Sequence, residues 1–275
     1  MITTLHRLLL IVAIPALCCN NQEKPEHVSP IGYRFSNREK INLSASLQEI
    51  SGIAFFPGSD SMLMAVNDEQ GKLYPIDFYL NVLVGDPINF GKKGDYEDLS
   101  FYSGRWMVLE SNGTLHWVLP EVGKKGTKTF SVLPTGEYEG MSAVGDTLFV
   151  LCKDCKDEMA LETTVHKLIF EGDSLFYVGQ SVLRGEKKDA GPNQKLLPSA
   201  LALHPVTRCW YILSHNNAWL MVTDINFQVL ERVPLKRTLF EQPEGIAFNS
   251  RGDMFISSEG KRGRGYILKF EYIKD

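Results

Sequence analysis

The chain lacks any apolar run long enough to cross a bilayer as a helix. Its most apolar stretch, Leu8 to Leu17, is about ten residues, roughly half of what a span requires. Excess charge of either sign is also small, with 29 basic residues against 33 acidic ones. A formal net charge of −4 is too mild for a general nucleic-acid binder, so no nucleic-acid partner is expected. Five cysteines include one C-x-x-C, Cys152 and Cys155, with no second pair. That is weak evidence for zinc and leaves a local disulfide or two idle thiols, structural in either case. No serine nucleophile elbow, no H-E-x-x-H, no phosphate-cradling glycine loop and no contiguous calcium-binding loop occurs. His116, His166 and His204 fall inside strand patterns and read as structural. Any chemistry must therefore come from residues gathered out of distant segments.

What is present begins with the N-terminus. Arg7 precedes the Leu8–Leu17 run, and Cys18, Cys19 and a polar, proline-containing stretch follow. This order suits a secretory signal, and the cysteines give it the form of a lipoprotein signal with Cys19 as the acylated residue. Cys19 fits better than Cys18, having Ala16 three positions before it and small Cys18 adjacent. The expected organisation is a signal over 1–18, a tether over 19–31 and one domain over 32–275. It places the protein outside the cytoplasm, held on an envelope membrane by its lipid.

Internal repetition sets the architecture. Five segments share one pattern: "ISGIAFFPGSDSMLMAVND", "YEDLSFYSGRWMVLES", "YEGMSAVGDTLFVLCKD", "PSALALHPVTRCWYILSHN" and "PEGIAFNSRGDMFISSE". Aligned on their second residues, they start at Ser51, Glu97, Glu139, Ser199 and Glu244, with gaps of 46, 42, 60 and 45 residues. A period of 40–50 with several short strands per unit is the mark of propeller blades. Each unit reads as strand, tight turn, strand, then two further strands; Arg251-Gly252-Asp253 falls in one of the turns. The expected fold is all-β, a propeller of five four-stranded blades. A sixth would have to hide in the 60-residue gap, which also holds the loop-like "RGEKKDAGPNQK". The last unit lacks a fourth strand, which the N-terminal "YRFSNREKINL" can supply, closing the ring and removing the open edge. First strands alternate large residues with small ones such as Gly52, Ser100, Gly140, Ala200 and Gly245, as crowding around an axis demands.

In such a blade the start of the first strand lies beside the end of the second, on one face of the ring. Strand-one starts offer Glu49, Glu97, Glu139 and Glu244, with Ser199 in the fourth unit; strand-two ends offer Asp68, Glu69, Glu110, Lys153, Asp154, His215, Asn216 and Glu259. All are expected at the mouth of the central channel. Carboxylates gathered there repel one another and need protons, a basic side chain or a cation. All-oxygen ligands favour Ca²⁺ or Mg²⁺, and His215 keeps a transition metal open. Glu49, Glu69, Glu97, Glu110, Glu139, Glu244 and Glu259 are thus the candidate metal ligands. Asp68, Lys153, His215, Asn216 and Arg262 are the candidate ligand-binding residues, Arg262 belonging to the basic loop "EGKRGRG" on the same face.

The combination of "LQEISGIAF", "NDEQG", "GDYEDLS" and "PEGIAFNSRGDMFISSE" resembles the SdiA-regulated (YjiK-like) family of bacterial exported propellers, over Tyr33 to Tyr272. The fourth unit departs from it, with Pro198 and Ser199 where an acid would stand. The resemblance implies fold and compartment, with an architecture akin to NHL-type propellers, more than an activity. Three functions follow as expectations. The first is a propeller that binds a small molecule or protein partner at its mouth. The second is a metal-dependent hydrolase of phosphoesters or lactones, with Glu97, Glu139 and Glu244 on the ion and Glu110 or Glu259 as base. The third is an assembly protein docking through outer blade edges.

Overall fold

Second strands such as "MLMAVN", "RWMVLE", "WYILS" and "MFISS" are apolar almost without interruption, which a half-solvated strand could not sustain. They are runs for a sheet covered on both faces. In the computed structural model, which describes residues 28–119, 127–156, 158–190, 194–260 and 263–274, each such strand lies inside a sheet sandwiched between two others.

Among the described residues, 21 strands form five antiparallel sheets. The N-terminal strand β1 (Glu39–Asn42) belongs to the last of them. Blade I runs outward as β2 (Ile50–Phe55), β3 (Met62–Asn67) and β4 (Gln70–Asp77). Its outer position is split between β5 (Val82–Leu83) and β6 (Ile88–Lys93), both paired with β4. Blade II is β7 (Tyr96–Tyr102), β8 (Arg105–Glu110), β9 (Leu115–Val118) and β10 (Thr127–Phe130). Blade III is β11 (Gly136–Val144), β12 (Thr147–Cys155), β13 (Glu162–Glu171) and β14 (Ser174–Arg184). Blade IV is β15 (Ala200–Leu203), β16 (Trp210–Ser214), β17 (Trp219–Thr223) and β18 (Val229–Pro234). Blade V is β19 (Pro243–Phe248), β20 (Met254–Ser258) and β21 (Tyr266–Phe270), completed by β1 against β21. The protein is a five-bladed β-propeller closed by its N-terminal strand, as the repeats predict. The long third gap holds no extra blade. It is taken up by the extended β13–β14 hairpin and a loop pinned to blade IV by Arg232 Nε on Asp189 (2.8 Å) and Trp219 Nε1 on the Asp189 carbonyl (2.7 Å).

The core is five hydrophobic clusters, one at each blade interface. Met64, Val66 and Leu73 pack on Leu99, Trp106 and Val108 between blades I and II; Leu151 and Val165 pack on Trp210, Ile212 and Met221 between III and IV. The ring closes through Ile53, Leu63 and Tyr74 on Ala247, Phe255 and Ile267. Near the axis the blades are joined by polar contacts instead. Buried Asp98 accepts hydrogen bonds from the N–H of Leu99 (2.8 Å) and from that of Met141 in the next blade (2.7 Å). Ser100 Oγ accepts from Ala143 N (2.9 Å), Ser199 Oγ donates to the Pro243 carbonyl (3.0 Å) and Ser257 Oγ to that of Ser51 (2.7 Å). Glycine is required for this approach: a Cβ on Gly52 would meet the Asp98 Cα at 2.6 Å, and one on Gly245 the Ser51 carbonyl oxygen at 2.6 Å.

Candidate functional site

The inner strands do not run smoothly into the channel mouth. Tyr96 pairs with Glu110 and Asp98 with Leu109, so Glu97 is an extra residue with no partner in the ladder. Glu139 is the extra residue between Tyr138 and Gly140, and Glu244 between Pro243 and Gly245. A similar irregularity spans Ser51 and Gly52. Each is a β-bulge, which bends the strand and re-aims one side chain. On β12, Lys153 is displaced in the same way opposite Glu137 and Tyr138.

The bulges gather one cavity of about 290 Å³, almost wholly polar, lined by Ser51, Asp68, Asp95, Glu97, Glu139 and Lys153 on one side and by Ser199, His215, Asn216, Gln242, Glu244 and Glu259 on the other. All five repeat-aligned starts, Ser51, Glu97, Glu139, Ser199 and Glu244, therefore reach one space. Two carboxylates carry their own counter-charges. Lys153 Nζ is hydrogen-bonded to Glu139, and His215 Nδ1 lies 2.9 Å from Glu244 Oε1. Glu97 has no hydrogen bond or ion pair among the described residues. Burial first, then the charges of Glu139 and Asp95, push its carboxyl well above the usual carboxylate range, and Lys153 offsets only part of this. Glu139 is also raised, by burial against the opposing pull of Lys153. Asp68 is pushed up to about 6 by burial and the nearby Glu49 charge, and its Oδ1 has no hydrogen-bond partner among the described residues. Burial alone would lower Lys153, but Glu139 and Glu97 outweigh it and the ammonium is held above its ordinary value.

Not every acid expected at the mouth is there. Glu110 stands one residue short of the mouth position. In register it matches Asn67, Cys152 and Ser258, and the residues that follow these three, Asp68, Lys153 and Glu259, are ones that line the cavity. Alternation along a strand sends its side chain elsewhere. Glu110 meets His116 Nε2 at 3.1 Å and accepts from Asn112 Nδ2 at 3.2 Å. Glu49 has its side chain exposed on the rim, where the aligned Ser51 takes the mouth position; its carbonyl accepts from the Asp68 N–H (3.1 Å) and its charge acts on Asp68. Glu69 points to solvent with Lys93 at 3.3 Å. Arg262 and Cys19 lie outside the described residues, and so does the proposed signal. Asp95 and Gln242 went unrecognised in the sequence because both precede the strands; their signal is position alone, one residue before Tyr96 and Pro243. Cys152 and Cys155 form a disulfide, the structural alternative for that pair. Arg251 and Asp253 pair with each other at 3.1 Å across the β19–β20 turn.

No family model matches the chain, and no curated protein matches it. Solved structures do. Over 86% of this chain and 96% of the other, it is similar to the crystal structure of Myxococcus xanthus glutaminyl cyclase, with a TM-score of 0.57 and 15% identity. It is similar also to a streptogramin B lyase structure, with a TM-score of 0.50 and 11% identity, covering 86% of this chain and 98% of that one. At such identities the likeness is one of fold.

Proposed function

We propose that the protein is a ligand-binding propeller whose acidic channel mouth receives a positively charged guest. The observation that carries this is Glu97, a half-buried carboxyl facing other carboxylates with no cationic partner of its own among the described residues. Glu139 and Glu244 already have Lys153 and His215, so Glu97 is left without a cation of its own. Asp68, with an unpartnered buried oxygen, adds a second acceptor there. Among the described residues no three of the mouth's acidic or histidine side chains bring ligand atoms within 4.8 Å of one another. A closed metal cage is therefore not part of this reading; a Ca²⁺ or Mg²⁺ ion there would keep waters between itself and part of the ring. Such an ion would supply positive charge at Glu97 and Asp68. The resemblance to the SdiA-regulated family and the segment ending at Cys19 support an exported, lipid-anchored protein presenting this mouth at the envelope surface.

Titrating Ca²⁺ and Mg²⁺ against the melting temperature of the non-reduced protein tests the reading. A guest that binds only the folded state raises Tm with concentration. The rise should be present in the wild type and reduced in Glu97→Gln. No rise with either ion would sink the metal assignment.

A second reading has one specific support. Burial and neighbouring acids raise Glu97 further than Glu139, and carboxyls whose acidities are pushed apart can serve as acid and base. Two propellers of this fold are, by name, a cyclase and a lyase. In a hydrolase, Glu259 stands where a base could act, and Glu110 does not. Turnover of a phosphoester or lactone panel that disappears in Glu97→Gln would favour this reading.

A further inference from the structure

Behind the mouth, where β12 ends, lies a second cluster. Ligand atoms of Cys152, Cys155 and Glu158 all fall within 4.8 Å of one another. Donors on a tetrahedral ion at ~2.3 Å for sulfur and ~2.1 Å for oxygen stand ~3.5–4 Å apart. The two sulfurs, now joined by the disulfide, must part to that spacing on reduction, while the Glu158 carboxylate already stands beside both. The Glu158 carboxylate is already oriented, accepting from the N–H of Thr164 (2.7 Å) and of Cys155 (3.3 Å). Cys152 is buried, whereas Cys155 and Glu158 line two cavities, of about 480 and 210 Å³. On the wall of the larger cavity stands His166, only 3% exposed, with neither ring nitrogen hydrogen-bonded among the described residues. The imidazole packs between the rings of Tyr138 and Tyr177 and is left without a hydrogen-bond partner among the described residues.

We propose that Cys152, Cys155 and Glu158 form a thiolate site for a zinc-class divalent ion, opened when a dithiol reductant cleaves the disulfide. The reductant supplies two electrons and two protons and is itself oxidised to a disulfide; the S–S bond becomes two thiols. Binding of the ion releases those two protons to solvent, since thiolates are the ligands. The fourth donor is water in the cavity or His166. This site is soft and redox-gated, so it is chemically separate from the oxygen-lined mouth.

The test uses the full-length chain with Cys18, Cys19 and Cys209 replaced by serine, reduced with a phosphine. Zn²⁺ is titrated against a chromophoric chelator, and Co²⁺ is followed by its thiolate charge-transfer absorption, which mouth carboxylates cannot produce. One ion per reduced chain is expected, and no thiolate band in the oxidised protein. Cys155→Ser should abolish the band, and Glu158→Gln should weaken Zn²⁺ binding tenfold or more with the circular-dichroism spectrum unchanged. His166→Gln identifies the fourth donor: weaker binding assigns it to histidine, unchanged binding to water. A reduced chain that shows no thiolate band, keeps it in Cys155→Ser, or loses its fold on reduction overturns the proposal.

Discussion

At the scale of single residues, the mouth is a problem in charge. Glu97, Glu139 and Asp68 all ionise less readily in the folded protein than in the unfolded chain. At these three groups the folded state holds more protons than the unfolded one, so their contribution to stability falls as pH rises. His166 and His204, lowered by burial to about 4, act in the opposite direction between about 4 and 6.5. The carboxyl contribution is complete below the ordinary carboxylate range. Asp68 loses its share between about 4 and about 6, and Glu97 and Glu139 extend the decline above that. Thermal unfolding measured from pH 4 to 9 without divalent ions should show this slope. Glu97→Gln, which keeps the shape and cannot ionise, should raise Tm at pH 8 and flatten the upper part of the curve, whereas Asp68→Asn should flatten the lower part. A Glu97→Gln protein that melts lower than wild type at pH 8 would mean that the carboxylate is paired in solution. The electrostatics that support a cationic guest would then be absent.

At the scale of the strand, the useful device is the bulge. One unpaired residue per inner strand turns Glu97, Glu139 and Glu244 into the cavity while the rest of each strand keeps its ladder. Asp98 then staples blade II to blade III through two backbone N–H groups. Asp98→Ala would leave both donors buried and unsatisfied, at a cost of roughly 2–5 kcal/mol measured by denaturant unfolding. A loss below about 1 kcal/mol would show that water replaces the carboxyl. The disulfide, by contrast, closes a loop of very few residues, and chain entropy assigns it only about 2 kcal/mol. A fold with five buried interfaces should survive its reduction, which is what allows the dithiol state to be studied.

For the molecule as a whole, the ring is held by five interfaces and one closure. β1 is the sole strand of blade V that comes from the other end of the described chain, and it covers β21 with Lys269 Nζ bonded to Glu39 Oε1 at 2.6 Å. Deleting residues through Asn42 would expose the backbone of β21 as an open edge and remove Tyr33 and Phe35 from the interface between blades IV and V. The truncated protein should melt lower and elute as larger species in size-exclusion chromatography. A monomer of unchanged Tm would show that three strands suffice in that blade.

The propeller, the number of blades and the closing strand are all legible in the amino-acid sequence. Repetition of apolar runs and tight turns at a period of 42 to 60 residues is a local pattern, and local patterns survive without coordinates. The column Ser51, Glu97, Glu139, Ser199 and Glu244 is legible for the same reason, and it marks the cavity correctly. What only the tertiary structure decided is which acids beside that column turn inward. Glu110 and Glu49 lie within two residues of mouth positions and still miss the cavity, because one step along a strand reverses the direction of a side chain and a bulge reverses it again. The pairing of Lys153 with Glu139 and of His215 with Glu244, which leaves Glu97 without a counter-charge, joins segments 14 and 29 residues apart. No spacing in the chain encodes such distances; the closure of five blades around one axis sets them.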